Sequence, residues 1–268
     1  MTKATQLLTT TYISINAEDH LTTLIGKLKT RKENLAVVID KGVYIGMIDK
    51  HKWIKIRLDA SEAKVKHYIT KAPQLHPDTE LEEIARLMYT ADIHTLPVIE
   101  HNHIIGVVCA HDVIKAAEKY LNTTRLDEVS TTTLITTNTS DSISKVINTL
   151  RTHHIDRLPV IDTKGKLAGI VTSIDILEKY FCFPPVRQGS TGRRGAAAAP
   201  TKEIHTAKIT IENEMTRDVI TVGLNQPIKK VVELFTTNHI SSVIITDAKE
   251  NPCGIITIKD LLGAITKK

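Results

Sequence analysis

Apolar runs of four or five residues recur along this chain in pairs, each pair split by a turn and followed by a helical pattern. The clearest pair lies in His153–Leu177. There Leu158-Pro159-Val160-Ile161 ends at Asp162, Thr163-Lys164-Gly165 supplies a turn, and Leu167–Val171 forms the second run. Runs this short, with turn residues between them, read as the two strands of a hairpin. Beyond them Ile174, Ile176 and Leu177 give a helix-like spacing opened by Thr172 and Asp175. A hydroxyl and a carboxylate at a helix start lie beside backbone N–H groups without intrahelical partners, a place suited to phosphate oxygens.

The same unit is repeated. I-x-x-L-P-V-I occurs at Ile93–Ile99 and Ile155–Ile161, with looser copies at Ile240–Thr246 (ISSVIIT) and Asn34–Ile39 (NLAVVI). Each is followed by a glycine-led run: GMIDKHK from Gly46, GVVCAHD from Gly106, GIVTSID from Gly169 and GIITIKD from Gly254. The period of roughly sixty residues exceeds that of solenoid repeats, so each copy is a supersecondary unit of its own.

Upstream of each hairpin stand a short strand and a helix. The third copy predicts a strand at Leu134-Ile135-Thr136, cap residues at Ser140-Asp141-Ser142, and a helix face of Ile143, Val146, Ile147 and Leu150. The second predicts a cap at Asp78-Thr79, acidic residues Glu80, Glu82 and Glu83 in the first turn, and a face of Leu81, Ile84, Ala85 and Met88. The fourth predicts a strand at Val219-Ile220-Thr221, a cap at Asn225, Pro227 in the first turn, and a face of Ile228, Val231, Val232 and Phe235. In the first, Tyr12-Ile13-Ser14 precedes Leu21, Leu24, Ile25 and Leu28. Every unit is thus α/β, in the order strand–helix–strand–strand–helix. A sheet that small cannot bury both faces alone, so the units should pair.

Composition narrows the function classes. Aromatic residues make up only 4 % of the 268 residues, so the core must be aliphatic. No run has the length of a membrane span, and the N-terminus lacks a signal-peptide apolar segment. Cys109, Cys182 and Cys253 are far apart with no CxxC pair, which suits a reducing compartment and makes the cytoplasm the expectation. The net charge of +5 is concentrated: Pro184–Lys208 holds Arg187, Arg193, Arg194, Lys202 and Lys208 against Glu203. With its prolines, glycines and the alanine run Ala196–Ala199, that stretch reads as a linker, and no aromatic residue in it could stack on bases. A nucleic-acid partner is therefore disfavoured. The histidines, including His101-x-His103 and His153-His154, lack metal-ligand spacing with further Cys or carboxylates, so no metal site is expected. There is no Walker loop, no G-x-S-x-G and no oriented Cys/His pair, so no catalytic residues and no enzyme are expected.

The string h-x-x-h-P-V followed by G-h-h-[ST]-x-x-D resembles cystathionine-β-synthase-type (CBS) domains. On that resemblance the chain holds four βαββα units: 8–58 (a degenerate copy), 66–120, 126–181 and 212–268, with the linker at 182–208. The resemblance implies two intertwined Bateman modules, Met1 to about Tyr120 and Asn122 to Lys268, as in the gamma subunit of AMP-activated protein kinase. It further implies adenosine ligands (AMP, ADP, ATP or a relative of S-adenosylmethionine) in clefts between paired units. No obligatory cofactor follows from it. A regulated protein partner does, and association of two chains through the modules is allowed by it.

Carried over residue by residue, the family's nucleotide-binding positions are unequal. In the third copy they are Ile135, Thr136, Arg157, Leu158, Pro159, Val160, Thr172 and Asp175; Asp175 would accept from ribose, and Thr172 and Arg157 would face phosphate. In the fourth they are Ile220, Thr221, Ser242, Val243, Thr257 and Asp260, with Ser242 in place of the arginine and Ile244 in place of the proline. The second keeps Leu96, Pro97 and Asp112 but has Cys109 for the hydroxyl, leaving His94 or His111 to reach a phosphate. In the first, Asp49 and Lys52 stand at the hydroxyl and ribose positions, so that site should be empty, and Trp53 beside it reads as packing. The lesser reading of Thr172 and Asp175 is a plain helix cap. The expected function is a non-catalytic sensor that binds an adenosine nucleotide and modulates a partner. The rival is a scaffold for proteins or nucleic acid that uses the basic linker.

Overall fold

The computed structural model describes residues 2–31, 33–50, 63–177, 179 and 209–267. The linker at 182–208, Lys52, Trp53 and Cys182 lie outside the described residues.

In chain order, α1 (Ala4–Leu7) and β1 (Leu8–Thr9) precede β2 (Ser14–Asn16), α2 (Leu21–Arg31), β3 (Leu35–Asp40) and β4 (Val43–Asp49) of the first repeat. The second repeat holds α3 (Leu81–Ala91), β5 (Thr95–Glu100), β6 (His103–Cys109) and α4 (Ala110–Ala116); α5 (Glu118–Leu121) and α6 (Leu126–Val129) follow it. The third contains β7 (Thr137–Asn138), α7 (Ile143–Thr152), β8 (Arg157–Ile161), β9 (Leu167–Thr172) and α8 (Ser173–Leu177). The fourth contains β10 (Thr221–Gly223), α9 (Ile228–Asn238), β11 (Ser242–Thr246), β12 (Pro252–Thr257) and α10 (Ile258–Thr266).

The periodic signal placed the buried faces of the four helices upstream of the hairpins, while Ile174 of α8 is only half-buried. Leu21, Leu24, Ile25 and Leu28, and the equivalent four residues of α3, α7 and α9, are buried. The hairpins are antiparallel as expected, and each first strand pairs in parallel with a leading edge strand. In the second repeat that edge is one bridge, Leu75 to Val98. The edge strands lie further along than the apolar triplets suggested: β7 begins at Thr137 rather than Leu134, and β10 at Thr221 rather than Val219. Their extent is set by the register of the neighbouring strand, Thr137 on Val160 and Val222 on Ile245, which local composition does not encode.

Two cap expectations are corrected. The N-cap of α3 is Glu80 and that of α9 is Pro227, neither with a side-chain cap bond. Thr79 Oγ1 instead accepts from His76 N (2.9 Å), and Asp78 pairs with Lys3 Nζ (2.7 Å), a partner far away in sequence. Asn225 precedes the N-cap of α9 by two residues.

Each hairpin also takes up a segment that leads into another repeat. β1 runs antiparallel to β6, Leu8 opposite Val108. Thr70 exchanges both backbone bonds with Met47 of β4 (3.0 and 2.7 Å), Thr131 does so with Ile255 of β12 (2.9 Å each), and Thr216 with Ile170 of β9 (2.9 Å each). The segment before one repeat therefore completes the sheet of its pair mate. This crossing brings backbone against the glycine of the second strand: a Cβ on Gly169 would lie 2.8 Å from Thr216 O, and one on Gly106 2.7 Å from Thr9 O. A glycine lets the two chains pass that closely.

Two compact units result. One comprises the first, second and fourth repeats, and the other is built from Ile135–Asp218. In the first unit α3 and α4 pack against α9 and α10, and Ile84, Met88, Ile114, Phe235, Ile258 and Leu261 share one core. Phe235 is fully buried, a contribution on the order of 2–3 kcal/mol. In the second unit Ile143, Val146, Leu150, Leu158, Val160 and Val171 are closed off by Ile211 and Met215.

Candidate functional site

The four hairpins place the same backbone positions side by side, so their side chains can be compared directly. At the start of the first strand one carbonyl accepts from the N–H that follows the second strand: Asn34 O from Lys50 N (2.9 Å), His94 O from Ala110 N (2.8 Å), Asp156 O from Ser173 N (2.7 Å) and Ser241 O from Ile258 N (3.1 Å). The next residue faces the end of the second strand: Leu35 opposite Asp49, Thr95 opposite Cys109, Arg157 opposite Thr172, and Ser242 opposite Thr257. The expected equivalence of Ser242 with Arg157 thus follows from the register.

In the third repeat Thr172 and Asp175 form a reciprocal cap on α8. Asp175 Oδ2 accepts from Thr172 N (3.0 Å) and Thr172 Oγ1 (2.7 Å), and Thr172 Oγ1 accepts from Asp175 N (3.2 Å). The fourth repeat repeats it: Asp260 Oδ2 accepts from Thr257 N (2.8 Å) and Oγ1 (2.7 Å), and Thr257 Oγ1 accepts from Asp260 N (3.4 Å). Both cap bonds of the third repeat fall on Oδ2. Asp175 Oδ1 accepts no hydrogen bond from the described residues, which leaves an acceptor at the helix start, where Ser173 N and Asp175 N are already taken by Asp156 O and Thr172 Oγ1.

Arg157 is buried, with 8 % of its side chain exposed, and its Nε and Nη2 lie 2.9 and 2.8 Å from Asp156 Oδ1 and Oδ2. The fork is bidentate, the geometry in which a guanidinium–carboxylate pair is strongest. Asp156 was not singled out in the sequence, although its place next to Arg157 at a strand start was a readable signal.

The second repeat differs. Cys109 heads α4 without a side-chain cap bond and accepts only a weak contact from Thr95 Oγ1 (3.9 Å). Burial pushes its thiol pKa up, so it stays protonated. Asp112 is exposed and lines a cavity of about 540 Å³ with Gln6, Leu8, Thr9, Lys115 and Ala116. His111 Nε2 lies 2.9 Å from Ile240 O and its ring 6.1 Å from that of His239, so it is engaged in packing against the fourth repeat. In the first repeat Asp49 is buried. A groove of about 570 Å³ runs along its edge strand and the outer face of α2, bordered by Ser14, Thr22, Lys27 and Arg31.

Of the other expected positions, Leu96, Leu158, Val160 and Val243 are core residues and Pro97 and Pro159 are buried, so packing accounts for them. Ile135, Thr136, Ile220 and Ser242 are half-buried, and Thr221 is exposed on β10. Among the described residues no group of three His, Cys, Asp or Glu is arranged to hold a metal, and no helix is long and apolar enough to cross a membrane.

A repeated βαββ hairpin unit with exchanged leading segments and, in the third and fourth repeats, a Thr-x-x-Asp helix start defines a class of paired α/β modules. The chain belongs to the CBS domain family: the family model matches residues 65–119, 126–181 and 208–267. Methanocaldococcus jannaschii MJ1225, a protein described as uncharacterised, is 28 % identical over 193 residues, covering 70 % of this chain and 64 % of that protein. The inosine-5'-monophosphate dehydrogenase of Thermoplasma acidophilum is 30 % identical over 128 residues, 47 % of this chain and 25 % of the enzyme. The chain thus spans between a quarter and just under two thirds of these curated relatives. The crystal structure of MJ1225, described as a candidate archaeal homologue of g-AMPK, superposes with a TM-score of 0.77 at 19 % identity over 98 % of this chain and 99 % of that one. A protein from Pyrococcus horikoshii gives 0.66 at 16 % identity over 98 % and 100 %. At these identities the structural likeness establishes the fold.

Proposed function

We propose that this protein is a non-catalytic sensor that binds an adenosine-containing ligand at the helix starts of its CBS repeats and modulates a partner protein. Ligands of the class AMP, ADP, ATP or S-adenosylmethionine fit the donor set. A vicinal ribose diol needs an acceptor, and a phosphate needs a cation.

The observation that carries this reading is the division of labour within Asp175. Its Oδ2 serves the cap while its Oδ1 stays open, so capping the helix and holding a ribose hydroxyl are compatible in one carboxylate. Arg157 directly opposite Thr172 makes the third repeat the best equipped, and it is our choice for the principal site. The fourth has the same cap but Ser242 in place of the cation, and the second has Asp112 without the hydroxyl. Differential affinity for two arrangements of the chain would then transmit occupancy to a partner.

Titration calorimetry of the purified chain with AMP, ATP and S-adenosylmethionine tests this. A hydrogen bond to a charged group contributes roughly 1.5–3 kcal/mol, so Asp175→Ala should weaken binding about ten- to a hundredfold. Absence of binding heat with all three ligands on folded protein would reject the ligand assignment.

A further inference from the structure

The first repeat is set apart by its outer surface. The helices upstream of the four hairpins begin at Leu21, Leu81, Ile143 and Ile228, so the equivalent position five residues on reads Gly26, Arg86, Asn148 and Glu233. Three repeats carry a polar side chain there, and two of these are tied down. Arg86 forks onto Glu83 (2.7 and 2.6 Å), and Glu233 accepts from Lys230 (3.0 Å). Gly26 lies exposed in the middle of α2, and a Cβ built on it would meet no atom within 4 Å. Glycine is a poor helix former, so this position weakens α2 and gains no packing in return. What it leaves is room in the groove of about 570 Å³ between β2 and α2, which Ser14, Lys27 and Arg31 also line and no acidic residue does.

One wall of that groove is a sheet edge. β2 is the outer strand of β2–β3–β4, and its odd residues face β3: Val37 N donates to Ile13 O (2.8 Å) and Ala17 N to Ile39 O (3.0 Å). Ser14 and Asn16 therefore turn their backbone groups outward. Asp19 closes Asn16, accepting its N–H on Oδ2 (3.2 Å) and donating its own N–H to Asn16 O (3.1 Å). At Ser14, Lys27 Nζ reaches across from α2 to the carbonyl (3.3 Å), and the Ser14 N–H has no hydrogen-bond partner among the described residues. A lysine laid over a strand edge discourages casual pairing.

We infer that β2 is a docking edge for an acidic, extended segment of a partner protein, which adds to the sheet beside Ser14 and runs along the groove over Gly26. The incoming backbone would give an N–H to Ser14 O and accept the Ser14 N–H, the main-chain pairing of strand addition. Lys27, released from Ser14 O, and Arg31 would then meet carboxylates of the segment. Docking at this edge requires no nucleotide at the helix starts.

A random heptapeptide phage library panned on the full chain supplies the probe, and the enriched peptide is then made synthetically. Selection should return sequences rich in Asp and Glu with β-branched residues at alternate positions. The peptide should slow hydrogen exchange at the Ser14 amide, read by NMR, and its binding should weaken with salt. Gly26→Gln fills the groove without backbone strain, so it should lower affinity about tenfold or more while raising the urea unfolding midpoint. That gain in stability separates a blocked edge from a misfolded variant. Arg31→Gln should lower affinity about two- to fivefold. If no peptide is enriched, or if the enriched peptide binds Gly26→Gln as well as wild type, the docking edge is wrong. A dimer in sedimentation that Gly26→Gln abolishes would make a second copy of this chain the occupant and would equally overturn the acidic partner. Neither result alters the calorimetric test at Asp175.

Discussion

The second and third repeats share one hairpin and one helix face, yet they secure their helices in different ways. In the third, α7 begins at Ser142, whose Oγ accepts from Lys145 N (3.3 Å), and α8 begins with the Thr172–Asp175 cap. In the second, neither Glu80 before α3 nor Cys109 before α4 makes a side-chain cap bond. Their cores differ to match. The helices of the second repeat lie in an apolar core shared with α9 and α10, whereas the third closes its own smaller core with Ile211 and Met215. A missing cap costs on the order of 1 kcal/mol, which burial of α3 and α4 in the shared core can offset, although α10 in that same core keeps its Thr257–Asp260 cap. Asp112 is exposed at a cavity because Cys109 stands where Thr172 and Thr257 engage Asp175 and Asp260.

The largest expected effect lies where the repeats should not differ. Adding a methyl group at Gly106 or Gly169 drives it into a backbone carbonyl, that of Thr9 or Thr216, within 2.8 Å. Gly106→Ala and Gly169→Ala should each cost about 2 kcal/mol or more. Gly254 is looser, 3.3 Å from Thr131 O, and its alanine variant should cost under about 1 kcal/mol. Urea unfolding midpoints measure all three. Equal losses at Gly169 and Gly254 would mean that the crossing is not what fixes these glycines.

Next in size are the caps, where the repeats should diverge. Ser142→Ala and Thr172→Val should each lower stability by about 1 kcal/mol. Glu80→Ala and Asp112→Ala should stay within about 0.5 kcal/mol, because neither side chain holds a helix end. Asp175→Ala should then lower both stability and ligand affinity, while Asp112→Ala should touch affinity alone. A stability loss at Glu80 matching that at Ser142 would collapse the contrast between a shared and a private core.

These contrasts also show what sequence could reveal. Helix faces such as Ile143, Val146, Ile147 and Leu150 were legible because burial imposes a 3.6-residue period on the chain. The hairpin glycine and the Thr-x-x-Asp string were legible because both are local. The start of β7 was not, since the parallel register with β8 fixes it. Asp78 misled as a cap because its partner is Lys3, across the fold. The packing of α3 on α10 was likewise hidden, because non-local contacts leave no trace in period or spacing. At the candidate site, the sequence pointed to Thr172, Asp175 and Arg157, which the hairpin register brings together, but could not say that one carboxylate oxygen would be used for the cap.

The smallest effect concerns acid stability and again sets the third repeat apart. Asp141 sits at the turn between β7 and α7, with 14 % of its side chain exposed. Burial pushes its carboxyl pKa up, but Lys145 Nζ (2.8 Å), Asn138 N (3.0 Å) and Thr137 Oγ1 (2.8 Å) more than offset this, and the folded value lies below the usual 3.8. On acidification the unfolded chain therefore takes up its proton first. The contribution of Asp141 is complete above the ordinary carboxylate range and is lost as pH falls through the folded value. Asp141→Asn should lower stability near neutral pH by less than the cap variants do, and its stability should fall less steeply than wild type below about pH 4. Asp78 is exposed on the surface of the second repeat, so its own lowered pKa, held down by Lys3, should leave a much fainter acid signature in Asp78→Asn. Denaturation curves taken from about pH 6 down to about pH 3 compare the two variants directly. Parallel acid profiles for Asp141→Asn and wild type would remove the polar turn from the forces that hold the third repeat together.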